Sequence, residues 1–292
     1  MMMRPLGIIV IWILCCCWCG GLQGQNRDSL RVVNARWQVD SLDGMVLKRM
    51  EFKDNRCLNS NQYVCVLEIP PSSPCRLAFS YEPQRTLTTV QARSRKAVAA
   101  INGSFFDMQR HNPICYLRIN GKEMGVNTPQ ESDSVHRKYY QYGSMWLRNG
   151  RPVIFRPDSA RMAERDMTQA DIMTAGPLLI YRGKLQPMRT DKTFVTYRHN
   201  RTAVGVKRDG TILLVTVDGR TRQSQGMSLQ DFSTLLHYLG CYDALNLDGG
   251  GSTTMYVKGY PHDGVVNHPS DNGRYDFDGE RTVSNCVLVL PN

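Results

Sequence analysis

The sequence predicts an α+β fold built from mixed, largely antiparallel sheets, rich in strands and with a few packed helices. Runs that alternate apolar and polar residues recur along the 292-residue chain, which is typical of half-buried strands. Asn-Gly or Asp-Gly pairs separate such runs at 120–121, 149–150 and 209–210, where tight hairpin turns are expected. Helical periodicity is cleanest in one segment, 227–240, so helices are expected to be few.

The N-terminal segment has the layout of a secretory signal peptide. After Arg4, residues 7–19 (GIIVIWILCCCWC) are apolar, and no charge follows until Arg27. This run is shorter than the ~20 residues that a membrane-spanning helix needs. We therefore expect residues 1–24 to be a signal peptide, no transmembrane span, and a periplasmic, cell-envelope or extracellular location. The leader contains four cysteines, so a lipid anchor is the alternative, although their bulky neighbours favour plain secretion.

Two regions are expected after the leader. Residues 25–96 read as an N-terminal β-rich region, in which strands from 28 to about 81 are followed by a helix over 84–96. Residues 97–292 form the second region and contain the clearest helix, 227–240. Its apolar residues fall on one face, Ser228 can cap its first turn and Gly240 follows its end.

Charge and cysteine content limit the classes of function. The net charge is +10, and residues 137–201 hold thirteen Lys or Arg against five Asp or Glu. Such an excess is usually a solvated face, but it also attracts anionic substrates. No nucleic-acid motif accompanies it, so no nucleic-acid partner is expected. Six cysteines follow the leader, and an even number in an exported chain makes some disulfides plausible. None of these six shows CxxC spacing and no histidine ligand spacing is present, so we expect no metal and no cofactor.

Polar residues close several apolar strands. Asn102 follows AVAAI, Asp218 follows TILLVTV, and Asp248 follows ALNL. Asp and Asn favour turns in any case. However, Asp248 is followed by GGGSTT, which has more glycine than a hairpin requires. Consecutive glycine N–H groups can form a nest for an anion, and the familiar P-loop, GxGxxG and GxSxG patterns are absent. The stretch therefore indicates a sugar or phosphate ester as ligand.

Two arginines stand at the start of apolar strands. Arg201 begins RTAVGV and Arg281 begins RTVSNCVLVL. A guanidinium group at such a position can fork onto a phosphate or a carboxylate. Taken singly, each is more often an ordinary surface arginine.

Several segments, in the order in which they occur, resemble the phosphodiester glycosidase family. They are AAINGSFFD, TAGPLLIYRGK, RTAVGVKRDGTILLVTVDGR, GMSLQDFSTLLHYLGCYDALNLDGGGSTTMYVKG, NHPSD and GERTVSN. The resemblance covers about residues 97–290 and implies that 97–292 is a catalytic domain. It implies hydrolysis of a sugar joined through its anomeric carbon to a phosphodiester, such as an N-acetylglucosamine 1-phosphodiester. The products would be free sugar and a phosphomonoester.

The resemblance also implies which residues form the site. The expected catalytic residues are Asp248, Asp218, Arg201 and Arg281. The expected substrate-binding residues are Asn102, Gly103, Gly176, Thr202, Asn246, Gly249, Gly250, Gly251, Ser252, Thr253, Ser270 and Asp271. Ser104 departs from the family, which often has a second glycine at that turn.

The chemistry suggests a role for each group. Ordinary glycosidases protonate a poor leaving group with one carboxylic acid and use a second carboxylate as base or nucleophile. A phosphomonoester leaves without a proton, so one working carboxylate, cations for the phosphate and donors for the sugar are enough. We assign the carboxylate role to Asp248, with Asp218 as the competing candidate. Arg201 and Arg281 would hold the phosphate, while the side chains of Asn102, Ser252 and Thr253 would bind the sugar.

Other interpretations stay open at this point. The same pocket could belong to a phosphodiesterase that breaks the P–O bond, although such enzymes usually carry clustered metal ligands. The chain could instead be an envelope glycan-binding protein without catalytic activity. The glycine triplet could also serve only to shape a tight corner.

Overall fold

The computed structural model describes residues 27–129 and 137–292. The predicted signal peptide at 1–24, its cysteines and the alternative of a lipid anchor lie outside these residues. Within the described part of the chain, no helix is both long and apolar enough to cross a membrane.

Strands outnumber helices among the described residues. The strands are β1 (Gln38–Leu42), β2 (Met45–Cys57), β3 (Ser60–Ile69), β4 (Cys75–Leu87), β5 (Ala99–Asn102), β6 (Leu117–Ile119), β7 (Lys122–Gly125), β8 (Gly143–Arg148), β9 (Arg151–Phe155), β10 (Ile172–Ala175), β11 (Leu178–Tyr181), β12 (Lys184–Leu185), β13 (Arg201–Lys207), β14 (Ile212–Val217), β15 (Cys241–Asn246), β16 (Met255–Val257) and β17 (Thr282–Pro291). The α-helices are α1 (Arg27–Val33), α2 (Thr88–Ser94), α3 (Thr193–Thr196) and α4 (Leu229–Tyr238).

The strands form three sheets, and the neighbouring strands within them pair antiparallel. The eight-stranded sheet has the order β1-β2-β3-β14-β13-β15-β11-β12. The five-stranded sheet has the order β7-β6-β10-β8-β9, and the four-stranded sheet β16-β5-β17-β4. The predicted α+β class with largely antiparallel sheets is confirmed.

The N-terminal strands belong to the same sheets as the rest of the chain. β3 pairs with β14, from Ile69 opposite Ile212 to Val64 opposite Val217. β4 joins the four-stranded sheet beside β17. Strands β2 to β4 of the predicted N-terminal region therefore share hydrogen-bonded sheets with strands after residue 97.

Two of the predicted hairpins have the expected turn geometry. Asn120 and Gly121 connect β6 to β7, and Asn149 and Gly150 connect β8 to β9. All four residues have positive φ, between 50° and 77°, as a type I′ turn requires. The third predicted hairpin joins β13 to β14 and carries its positive φ at Gly210.

Two local predictions are wrong in detail. Residues 27–33 form α1, where a strand was expected. The helix predicted over 84–96 is shorter, because α2 covers Thr88–Ser94 and residues 84–87 continue β4. Long-range pairing explains the second difference, since β17 extends the β4 ladder to Thr282 opposite Leu87. Tertiary pairing here overrides a local helical preference.

The eight-stranded sheet is apolar on both faces. On one face Leu213 and Val215 pack with Phe232 of α4. On the other face Leu214 of β14 packs with residues of the smaller sheets, including Ile101. Successive strand residues point to opposite faces, so one strand serves both layers. The predicted capping of α4 is confirmed, because Ser228 Oγ accepts a hydrogen bond from the Asp231 N–H at 3.0 Å.

The basic segment 137–201 is not a solvated face throughout. Arg137 is 1% exposed, and its guanidinium donates to both carboxylate oxygens of Glu164, at 2.7 and 2.6 Å. The hydroxyls of Ser144 and Thr174 also donate to Glu164, at 2.8 and 2.7 Å. A buried ion pair needs such additional hydrogen bonds to offset the loss of hydration. Arg137 is therefore part of the interior of the fold.

The expectation of disulfides is wrong for the six cysteines after the leader. Cys57, Cys65, Cys75, Cys115, Cys241 and Cys286 are all free and buried. Burial raises the pKa of Cys241 and of Cys286 to about 12, which keeps these thiols protonated. They act as small apolar packing groups.

Candidate active site

The ends of β5 and β15 meet beside a turn that we call the glycine corner, formed by Gly249, Gly250 and Gly251. Asn102, the last residue of β5, donates from Nδ2 to the Asp248 carbonyl oxygen at 2.7 Å. The Asp248 N–H donates in turn to the Gly103 carbonyl oxygen at 3.1 Å. Residues 146 positions apart in the chain thus become neighbours.

Each glycine of the corner has its own close neighbour. A Cβ on Gly249 would lie 2.6 Å from the Asn200 carbonyl oxygen. A Cβ on Gly250, whose φ is +59°, would lie 2.6 Å from Arg220 Nη2. A Cβ on Gly251 would meet the guanidinium of Arg281. A side chain at Gly249 would therefore collide with main chain, whereas one at Gly250 or Gly251 would displace an arginine from the corner.

The Asp248 carboxyl is recessed but partly exposed. Burial raises its pKa to about 6. The Ser252 hydroxyl and the Gly249 N–H, which is 2.9 Å from Oδ1, act to lower it, as do the charges of Arg281 and Arg220. A carboxylate with these properties can act as base or nucleophile near neutral pH.

Several predicted substrate-binding side chains hydrogen-bond around the glycine corner. Asn102 Oδ1 accepts from the Thr202 hydroxyl at 2.9 Å, and that hydroxyl also lies 3.2 Å from Thr253 Oγ1. Asn246 Nδ2 donates to the Gly176 carbonyl oxygen at 2.8 Å. All four side chains are buried, and their contacts hold the strand ends in register. Contact of these residues with a sugar stays a prediction.

Asp218 binds a histidine and an asparagine. The residue is 1% exposed, and its Oδ1 accepts from Asn267 Nδ2 at 2.8 Å. Its Oδ2 accepts from the His268 N–H at 2.8 Å and lies 2.9 Å from His268 Nδ1. Burial raises the pKa of Asp218, and the contacts with His268 and Asn267 oppose that rise. Because both oxygens are engaged, we favour Asp248 over Asp218 as the carboxylate that faces substrate.

Sequence reasoning missed His268. Its ring stacks on Tyr275 at 3.9 Å between centroids, and it contacts Phe277 at 4.5 Å and the edge of Tyr63 at 4.6 Å. A buried carboxylate at Nδ1 fixes the orientation of an imidazole and leaves Nε2 for proton transfer. The signal was present in the NHPSD segment, from which only Ser270 and Asp271 were selected.

Arg201 is buried, with 2% of its surface exposed. Its Nε donates to the Met227 carbonyl oxygen at 2.8 Å, and its Nη2 donates to those of Phe194 and Tyr197, each at 2.9 Å. Burial, and to a smaller extent the charge of Arg220, lowers the pKa of Arg201 to about 9. Two of its three guanidinium nitrogens therefore donate to main-chain carbonyl oxygens, and Nη1 has no hydrogen bond to the described residues.

Arg281 lies beside Gly251 and is paired with an acid. Its guanidinium forms an ion pair with Asp271, with Nε 2.8 Å from Oδ1. Ser270, the residue before Asp271, donates from Oγ to Asn200 Oδ1 at 3.0 Å. The segment 267–271 thus forms one wall around the corner.

Most of the predicted site residues are brought together in this way. The corner glycines contact Arg281 directly, Asp218 is linked to Thr253 through Asn267, and Gly176 lies one hydrogen bond beyond Asn246. Among residues 27–129 and 137–292, no group of three or more His, Cys, Asp or Glu side chains is arranged to hold a metal ion.

A comparison with protein families matches the phosphodiester glycosidase family over residues 95–290. The mouse N-acetylglucosamine-1-phosphodiester alpha-N-acetylglucosaminidase is 36% identical over 119 residues, which are 38% of this chain and 22% of that protein. The SPbeta prophage-derived uncharacterized protein YomE of Bacillus subtilis is 29% identical over 179 residues, 58% of this chain and 25% of that protein. The matched region thus spans about a quarter of the length of these curated relatives.

The fold also resembles a solved structure. The catalytic domain of the zebrafish N-acetylglucosamine-1-phosphodiester alpha-N-acetylglucosaminidase superposes with a TM-score of 0.63, at 18% identity, and the match covers 88% of each chain. At that identity the likeness concerns the fold.

The raised pKa of Asp248 predicts how its removal changes stability with pH. A carboxyl whose folded pKa is about 6 stabilises the fold while it is protonated, and this contribution is lost as pH rises from about 4 through about 6. Asp248→Asn should therefore gain stability relative to the wild type over that window. Urea unfolding of both proteins between pH 4 and 7 measures the difference, and a constant difference would contradict the raised pKa.

Proposed function

The chain belongs to the phosphodiester glycosidase family, and from this premise we propose that it hydrolyses the C1–O bond of a sugar 1-phosphodiester. The products are free sugar and a phosphomonoester. The observation that supports this most is the recessed Asp248 carboxyl, with a pKa of about 6, beside arginines at a corner free of side chains.

Asp248 is the proposed base or nucleophile at the anomeric carbon. Its ionised form predominates above a pH of about 6. In that form it can either attack C1 or take a proton from the attacking water. The corner glycines let the ester approach bare main chain next to this carboxylate.

The arginines are proposed to stabilise the negative charge of the leaving group. As the C1–O bond breaks, negative charge develops on the departing phosphomonoester, and fixed cations stabilise that charge more in the transition state than in the ground state. Proton transfer is the proposed role of His268, which Asp218 orients through the 2.9 Å contact at Nδ1.

N-acetylglucosamine is the proposed sugar, and an exported chain is the proposed form. The choice of sugar rests on relatives such as the mouse N-acetylglucosamine-1-phosphodiester alpha-N-acetylglucosaminidase. Export rests on the signal-peptide layout of residues 1–24. A phosphodiester-linked glycan of the cell envelope would suit such a chain.

The first test is sugar release in oxygen-18 water. UDP-N-acetylglucosamine and alkyl phosphodiesters of N-acetylglucosamine 1-phosphate serve as substrates. We expect the label in the sugar, because water attacks carbon, and we expect Asp248→Asn to reduce kcat by at least ~10²-fold. Asp166→Asn, at an exposed aspartate outside the site, is the matched control and should retain activity. Label in the phosphate would support P–O cleavage, and binding without turnover would support a glycan-binding protein.

The pH dependence of the rate follows from the ionisation of Asp248. If the carboxylate form does the chemistry, kcat/KM should fall about tenfold per pH unit below a pH of about 6. Above that pH, this group should cause no further rise. Initial rates between pH 4 and 8 measure the profile, and a rate that stays level down to pH 4.5 would assign the chemistry to another group.

A pair of glycine variants separates a functional corner from a merely structural one. Gly250 and Gly259 both have positive φ, +59° and +84°, so alanine at either should cost about 1 kcal/mol of stability. A Cβ on Gly250 would also displace the Arg220 side chain, whereas one on Gly259 has nothing within 4 Å. We expect both variants to fold and only Gly250→Ala to lose most of its sugar release. Equal loss of activity in the two variants would mean that the glycines are needed only for the backbone conformation.

A further inference from the structure

Arg220, which sequence reasoning did not select, occupies the space over the glycine corner. It follows Gly219, where a Cβ would lie 2.6 Å from the Asn200 N atom, so the chain turns sharply against Asn200. Arg220 itself has a φ of +65°, a conformation that is unusual for a residue with a side chain. Strain of this kind tends to be kept at functional sites, where the surrounding structure enforces it. The turn directs the guanidinium onto Gly250.

Arg220 and Arg201 flank adjacent glycines of the corner. A Cβ on Gly250 would meet the Arg220 guanidinium, and one on Gly249 would lie 3.7 Å from Arg201 Cα. Asp248 and Asp231 act on Arg220 and Arg201 respectively through their charges, but within residues 27–129 and 137–292 neither arginine forms an ion pair. Arg281, by contrast, is paired with Asp271. Two neighbouring arginines without a paired carboxylate are suited to binding an anion.

A buried donor at the same corner also lacks a partner. Asn200 is fully buried, and its Oδ1 accepts from Ser270 while its Nδ2 has no hydrogen bond to the described residues. Ser252 is fully buried as well, but its hydroxyl already acts on the Asp248 carboxyl. Buried polar groups almost always have a partner. The Asn200 carbonyl oxygen accepts from the Gly250 N–H at 2.9 Å, which fixes Asn200 against the corner.

We propose that Arg220 and Arg201 form the phosphate subsite, over the main chain of the glycine corner and with Asn200 Nδ2 as a further donor. Its ligand class is a phosphate monoester or diester. Arg281 instead positions the corner through Asp271. The subsite deepens the proposed function and rests on it only for the sugar that the phosphate carries.

The two arginines contribute differently. Arg201 has only Nη1 left, so it offers a single donor from within the protein. Arg220 is exposed and can present its planar fork to two phosphate oxygens. Arg201 is buried, so its replacement is expected to destabilise the fold. The test therefore uses a variant at the exposed Arg220.

The test measures binding of inorganic phosphate to the intact protein by isothermal titration calorimetry. Arg220→Gln should weaken phosphate binding by about tenfold or more, because a charge-assisted fork is lost. Arg222→Gln, at an exposed arginine two positions along, makes the same change in net charge and should alter the affinity less than ~2-fold. Arg281→Gln should have a smaller effect than Arg220→Gln. Circular dichroism and urea unfolding verify that each variant is folded.

Each outcome bears on the subsite separately from hydrolysis. Three outcomes would overturn the subsite. Arg220→Gln and Arg222→Gln could lose phosphate affinity equally, Arg281→Gln could lose more affinity than Arg220→Gln, or the wild type could fail to bind phosphate. Arg220-dependent phosphate binding without sugar release would support the subsite and contradict the proposed hydrolysis. If Arg220→Gln retains both sugar release and phosphate affinity, the result would support hydrolysis and contradict the subsite.

Discussion

The site depends on close contact between the main chain of the glycine corner and its neighbours. The Gly250 N–H donates to the Asn200 carbonyl oxygen at 2.9 Å, and a side chain at Gly249 would be driven into that same carbonyl. This contact places the end of β15 beside the start of β13. The Asn102 side chain then ties β5 to the same point through the Asp248 carbonyl oxygen. Strand ends from two different sheets are thereby held within hydrogen-bonding distance of one another.

The surroundings of the glycine corner also set the pKa of Asp248. The corner lies between arginines and a carboxyl whose burial disfavours ionisation, so the two effects on Asp248 oppose each other. Burial prevails, and the pKa settles near 6 instead of near the ordinary value of an aspartate. Asp218 is even more deeply buried and is compensated by His268 and Asn267. Two aspartates that follow strands of the same sheet, β14 and β15, thus acquire different chemical characters from their surroundings.

Much of the fold could be predicted from the sequence because its signals are local. Asn120-Gly121 and Asn149-Gly150 form hairpins since Asn and Gly readily accept the two successive positive φ values of a type I′ turn. The start of α4 followed from another local signal, the capping hydroxyl of Ser228. The end of β4 could not be predicted, because its last residues pair with β17, almost two hundred positions along the chain. Pairing partners at that separation leave no local trace in the sequence.

The site was predictable in part. Asp248 and the glycines were evident, because three glycines in sequence exceed what a turn needs. Arg220 was not, since an arginine after Asp-Gly looks like any exposed loop residue until Gly250 is found beneath its guanidinium. His268 was overlooked because a single histidine has no spacing to recognise, and its importance comes from Asp218, fifty positions away.

The six buried thiols have a consequence for how the chain must mature. In the native protein they are shielded by packing and kept protonated where burial raises their pKa. In the unfolded chain all six are exposed together, and thiols oxidise and reshuffle within seconds to hours. For the exported form proposed above, the core must therefore form before these thiols are oxidised to non-native disulfides, or a reductase must reduce such disulfides.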